Sequence, residues 1–331
     1  FLFAKLFSTY HNATMMNAFP IRFILSLLIT GFSMFNLNAQ NKNFGIFEGF
    51  TDVGPVKYEG AFAYDEEPQE YRLMGSGANM WFGADEFSYL FRRIQGDFIL
   101  RAEMRFEGKG HNPHRKIGWT VRNSLYAYSP HVSTALHGDG LTALQYRRGD
   151  KAETEEIRFS MEGADVVQLE RKGNNFILSV AKFGEPFQET QNVEVELRNE
   201  IFAGLYICSH EADAVENAVF RNVRIVKPTW EGFEYYQDYL GSHMEVMDVE
   251  TGHRKILFSG AHSFQAPNWT PDGGHLIYNS NGFLYDYNLE TRKTAMFNTG
   301  FANRNNNDHV LTFDGKWMGI SSAQGLRKSV A

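Results

Sequence analysis

Acids, histidines and one thiol are the residues whose types and spacing in this sequence could do chemistry. Glu245, Asp248 and Glu250 lie close together. Glycoside hydrolysis needs two carboxylates about 5 Å apart, or somewhat more with an intervening water. In an extended strand Asp248 and Glu250 share a face and Glu245 points away, so the three do not converge. Glu194 and Glu196, two apart, read as a solvated strand face. Asp65, Glu66 and Glu67 lack the alternating oxygen ligands and the Gly of a calcium loop. Zinc wants three or four convergent ligands held by outer hydrogen bonds. His111 and His114 sit in a loop marked by Gly110 and Pro113, with His131 and His137 further on, and read as polar loop histidines. Cys208 precedes Ser209 and His210, a thiol beside a possible base. It ends an apolar strand, however, where a free cysteine is small, buried and inert. No catalytic residue, metal site or cofactor is assigned on this reading.

A binding face is better supported. Arg101, Glu103, Thr120, Arg122 and Tyr146 are expected on the polar side of strands whose other side is apolar, with Trp81 as a flat stacking surface. Trp119 alternates with the apolar set and is expected in the core. Sugars suit such a face, because aromatic planes cover their C–H surfaces while charged groups bond their hydroxyls. A plain solvated sheet face is the competing expectation.

The elements that must position these residues are strands. With 29 Phe, 15 Tyr, 5 Trp and 30 Gly in 331 residues, the composition favours strands and tight turns. Phe98, Leu100, Ala102, Met104 and Phe106 alternate with Ile99, Arg101, Glu103 and Arg105; Ile117, Trp119 and Val121 alternate with Gly118, Thr120 and Arg122. Lys172-Gly-Asn-Asn175 predicts a hairpin turn between two further strands. A formal net charge of −7 and the lack of a basic aromatic tract or Gly-rich phosphate loop argue against nucleic-acid and nucleotide binding. One cysteine excludes an intrachain disulfide. Near the N-terminus Arg22 leads into the apolar run Phe23–Phe35 and then Asn38-Ala39, the pattern of a cleavable export signal. The run is short of the roughly twenty residues that span a bilayer, so no stable membrane insertion is expected after cleavage.

The ordered segments Gly96–Arg105, Lys116–Ser124, Val167–Asn174 and Ala203–His210 together resemble the concanavalin A-like (laminin-G-like) sandwiches of secreted bacterial proteins. Downstream, Trp269-Thr-Pro-Asp-Gly273 is echoed by Thr312-Phe-Asp-Gly315, each opening a short apolar strand. Around Glu250-Thr-Gly252 and Glu290-Thr-Arg292 lie strand–turn–strand pairs. These features resemble the blades of TolB-type β-propellers. The expected fold is therefore all-β: a concanavalin A-like jelly-roll β-sandwich over 40–228, a linker over 229–242 and an incomplete propeller of about two blades over 243–331, preceded by upstream residues and a signal over 1–39. Two blades are too few to close a ring, so a chain continuing past Ala331 is expected. What the resemblance implies is an exported, periplasmic or secreted, non-catalytic binding or scaffold protein whose partner is a protein or a polysaccharide. The alternative is a secreted carbohydrate-active enzyme, for which Glu103 is the first acid to examine.

Overall fold

The computed structural model describes residues 43–235 and 237–323, so the expected signal segment and the residues after 323 lie outside the described residues. In chain order the first strands are β1 (Gly49–Val53), β2 (Ala61–Asp65), β3 (Glu70–Gly75), β4 (Met80–Trp81), β5 (Ala84–Asp85), β6 (Phe87–Gln95), β7 (Phe98–Glu107) and β8 (Lys116–Arg122). Then come β9 (His131–His137), β10 (Thr142–Arg147), β11 (Glu155–Arg158), β12 (Val166–Lys172), β13 (Asn175–Ala181), β14 (Glu189–Glu194), β15 (Glu200–Cys208) and β16 (Glu216–Val226). Among the described residues there is no helix, in line with the all-β expectation.

Fourteen of these strands form two seven-stranded antiparallel sheets. Sheet I runs β1-β6-β15-β8-β9-β10-β11, and sheet II runs β14-β13-β12-β7-β16-β3-β2. The inner faces meet in one core that contains Leu100, Ala102 and Met104 from sheet II and Ile117, Trp119, Val121, Leu144 and Leu205 from sheet I. This is a β-sandwich. The two-residue period of β7 sends its apolar set into that core and Arg101, Glu103 and Arg105 out of sheet II.

Sheet I departs from the expected half-exposed pattern. All residues of β8, β9 and β10 are buried, on both faces. Its outer face carries a second core of Val53, Phe87, Tyr89, Tyr206 and Cys208, and Met80 of the segment between β3 and β6 packs into it. That segment, which contains the small β4–β5 pair, acts as a strap over the sheet.

Beyond residue 241 come β17 (Ser242–Met247), β18 (Arg254–Gly260), β19 (Gln265–Trp269), β20 (His275–Ser280), β21 (Phe283–Asn288), β22 (Lys293–Met296), β23 (Asn305–Leu311) and β24 (Met318–Ser322). They form a two-stranded, a four-stranded and another two-stranded sheet. Met244 of β17 packs with Leu276, Tyr278 and Tyr287 of the four-stranded sheet. Asn268 and Asn279 of that sheet donate to carbonyls of His309 and Asn305 on β23. No sheet here closes into a ring.

The repeated turn is built twice from the same bonds. Thr270 Oγ1 donates to Asp272 Oδ1 at 2.6 Å, and Thr312 Oγ1 donates to Asp314 Oδ1 at 2.5 Å. Gly273 N reaches Thr270 O at 2.9 Å, and Gly315 N reaches Thr312 O at 2.8 Å. Both glycines have positive φ, 72° and 68°, which an L side chain adopts only under strain. The Asp and Gly therefore serve the backbone, and losing the Pro at Phe313 does not disturb the turn.

Candidate functional site

The structure separates the residues expected on one face. Thr120 and Arg122 point from β8 into the covered outer face of sheet I and are fully buried. Thr120 Oγ1 accepts from Ser133 Oγ at 2.7 Å, and its carbonyl accepts from Tyr89 OH at 2.9 Å. Tyr146 belongs to the main core on the opposite side of the same sheet. Trp81 lies on the strap with the Lys116 ammonium 5.7 Å from its ring centroid. The expectation of a solvated polar face thus fails for Thr120 and Arg122, which the strap covers, and for Tyr146, which faces the main core and not the polar side.

Arg122 is part of a buried ionic network. Asp85 on the strap accepts from Arg147 at 2.7 and 2.9 Å and from Arg122 at 3.2 Å. Burial opposes the Asp85 charge, yet His131, Arg147 and Arg122 hold its carboxyl below the ordinary value. His131 itself, fully buried, is pushed down to about 3, chiefly by burial. The thiol of Cys208 is pushed up to about 11 by burial, which removes it as a nucleophile near neutral pH. Among the described residues no three His, Cys, Asp or Glu are arranged to hold a metal ion. The acidic loop is otherwise engaged: Glu67 pairs with Lys255, and Glu66 with Arg292 at 3.2 Å.

Arg101 and Glu103 are the two expected residues that the fold brings together. They line a cleft of about 500 Å³ between sheet II and the β17–β18 hairpin. That volume lies in the usual range of ligand sites. A β-bulge in β16, between Arg221 and Arg224, puts Asn222 in a left-handed conformation (φ 50°). Bulges re-aim side chains in this way. The Asn222 amide then bridges the two walls: Nδ2 donates to Glu103 Oε2 at 3.1 Å and Oδ1 accepts from Arg254 N at 2.8 Å. The strand pattern does carry a signal for Asn222: Ala218 and Phe220 face the core before the bulge and Val223 and Ile225 after it, so the apolar phase slips by one residue across Arg221 and Asn222.

The cleft also contains Glu245, the acid judged unable to converge with its sequence neighbours. Arg224 holds it through Nε at 3.0 Å and Nη2 at 2.9 Å, and Arg254 lies 3.8 Å away. Glu245 is therefore an ion-paired strut between sandwich and hairpin. Glu103 is different: burial raises its carboxyl above the ordinary value, against the pull of Arg221 and with Asp165 adding to the rise. The Arg101 side chain makes no hydrogen bond or ion pair with any described residue. Its guanidinium lies over the Phe187 ring at 5.1 Å, and its pKa is lowered by burial and by neighbouring Arg254. The cleft thus holds an unpaired cation beside a second one, an acid whose pKa burial raises, and a bridging amide.

No family model matches the chain. A curated relative, the uncharacterized protein Atu1656 of Agrobacterium fabrum, is 36% identical over 89 residues, which cover 27% of this chain and 30% of that protein. The chain thus spans under a third of that relative's length. Among solved structures, a functionally unknown protein from Saccharomyces cerevisiae aligns with TM-score 0.42 and 10% identity over 55% of this chain and 97% of its own. The family 7 alginate lyase A1-II' aligns with TM-score 0.36 and 8% identity over 51% and 84%. A Bacillus licheniformis beta-glucanase aligns with TM-score 0.35 and 11% identity over 56% and 97%. At these scores the likenesses carry no weight for function.

Proposed function

We propose that the protein is an exported, non-catalytic binding protein that holds an acidic glycan in the cleft between sheet II and the β17–β18 hairpin. The observation that carries this reading is Arg101. Arg101 and Arg254 both line the cleft; burial first and the charge of Arg254 second lower the pKa of Arg101, and of these two guanidiniums only Arg254 lies within 4 Å of a carboxylate. A sugar carboxylate placed between them relieves that repulsion and gains charge-assisted hydrogen bonds. Glu103 and Asn222 then offer polar partners for hydroxyls. Phe187 keeps the Arg101 guanidinium flat and in place.

The enzymatic alternative needs a second free acid facing Glu103 across the scissile bond. Of the other two acids that line the cleft, Glu245 is held by Arg224 and Glu185 accepts from Gln188, which speaks for binding over hydrolysis. We further infer that the three small sheets are successive blades of a TolB-like propeller, with the sandwich as a separate N-terminal domain. The duplicated turn and the apolar contact between the first two of these sheets support this reading.

Retention on an immobilised polyuronate tests the cleft. Wild type is expected to be retarded and R101Q to elute at least tenfold less retained, while E103Q keeps most of the binding. Equal retention of wild type and R101Q removes the reading. Release of new reducing or unsaturated ends by wild type, abolished in E103Q, replaces it with the enzymatic one.

A further inference from the structure

A second small cavity, of about 340 Å³, opens at one end of the sandwich beside the loop that joins β8 to β9. Its lining includes Asn123, Tyr126, Tyr128, Asp150 and Arg198. Tyr126 and Tyr128 stack in parallel, with ring centroids 5.5 Å apart and 3° between planes. Tyr126 is 65% exposed, an open aromatic surface at the end of the sandwich. The side chains of Asp150 and Arg198 have no hydrogen-bond or ionic partner among the described residues. One acceptor group and one donor group are therefore free next to a flat apolar plane.

The loop that carries the tyrosines is held from beneath. Arg122 donates to the carbonyls of Ser124 at 2.8 Å and Tyr126 at 2.7 Å. Arg147 donates to those of Ala127 and Ser129, both at 3.2 Å. Asp85 N also donates to Ala127 O at 3.0 Å, and Lys151 N to Tyr128 O at 3.0 Å. Buried charges thus fix the backbone of an exposed loop. Such fixing is the expense-saving step in recognition, since a ligand need not order the loop when it binds.

We propose that this loop is a second binding site, one that takes a single neutral hexose-type ring. The ring's C–H face lies on Tyr126, a rigid plane with little entropy to lose. Asp150 accepts from a pair of adjacent hydroxyls, and Arg198 and Asn123 donate to the remaining oxygens. The opposite charges of Asp150 and Arg198 suit a neutral polyol better than an acid, which sets the site apart from the Arg101 cleft. Its volume, near the lower limit for ligand sites, fits a single ring.

The test is saturation-transfer difference NMR on the whole protein with the methyl glycosides of glucose, galactose and mannose. At least one glycoside is expected to show saturation concentrated on the protons of one ring face. The signal should fall at least fivefold in Y126A, and at least threefold in D150N, and stay unchanged in R101Q. Tyr126 is exposed, so Y126A leaves the core intact; matching thermal midpoints for variant and wild type check that. Absence of transfer from all three glycosides overturns the site. Transfer that survives in Y126A but vanishes in R101Q also overturns it, and moves neutral-sugar binding to the cleft.

Discussion

The fate of individual charged residues turns on what covers them. Arg122 and Arg101 occupy equivalent polar positions in their strands, yet one is sealed under the strap and the other stands free in a cleft. Alternation in β7 and β8 gave the side of each residue correctly and could not give its cover, because the strap over sheet I comes from a stretch with no period of its own. Asp85 was likewise invisible: an acid in a short irregular segment gains meaning only when Arg122 and Arg147 arrive from distant strands. Removing it leaves two buried guanidiniums without a counter-charge. D85A is expected to lower the unfolding free energy by about 3–5 kcal/mol, the usual cost of breaking a buried pair. Urea denaturation measures this, and a loss below about 1 kcal/mol would mean that water enters beneath the strap. Because the same arginines hold the tyrosine loop, D85A should also quicken amide exchange at Tyr126 and Tyr128.

At the scale of elements, the duplicated Thr-x-Asp-Gly turn was the most legible feature of the chain, since its chemistry is local. Thr, Asp and Gly each satisfy a backbone need within five residues of one another, so the sequence contains the whole arrangement. The same holds for the second copy. T270V and T312V should each lose hydrogen bonds worth about 1 kcal/mol and raise local amide exchange roughly fivefold in its own hairpin. If exchange changes in both hairpins for either variant, the two turns are coupled and not independent repeats. The bulge in β16 lies at the other extreme. Its place is marked locally by the one-residue slip in the apolar phase between Phe220 and Val223, but the partners that Asn222 meets, on β7 and β18, are distant in sequence.

For the whole molecule, the sandwich and the small sheets are joined through charged and amide contacts, with Gln69 pairing both ways with the Ile256 backbone and Arg224 holding Glu245. Acid should weaken the whole. Burial pushes His131 down to about 3 and His137 down to about 4, the latter helped by Lys116. The unfolded chain takes up these protons near pH 6.5 and the folded chain does not, so their contribution is whole above about pH 6.5 and is lost as pH falls from there towards 4 and 3. Each histidine adds a slope of up to about 1.4 kcal/mol per pH unit in that window. Denaturation midpoints followed from pH 8 to pH 4 should stay level and then drop below pH 6.5, with a shallower drop in H131Q. Binding of an acidic sugar in the cleft is read by calorimetric titration with an oligouronate and its carboxyl-reduced counterpart. The Arg101 account predicts that wild type prefers the acidic sugar at least tenfold and that R101Q loses the preference; equal affinity for the two sugars, or a preference that survives in R101Q, would contradict it.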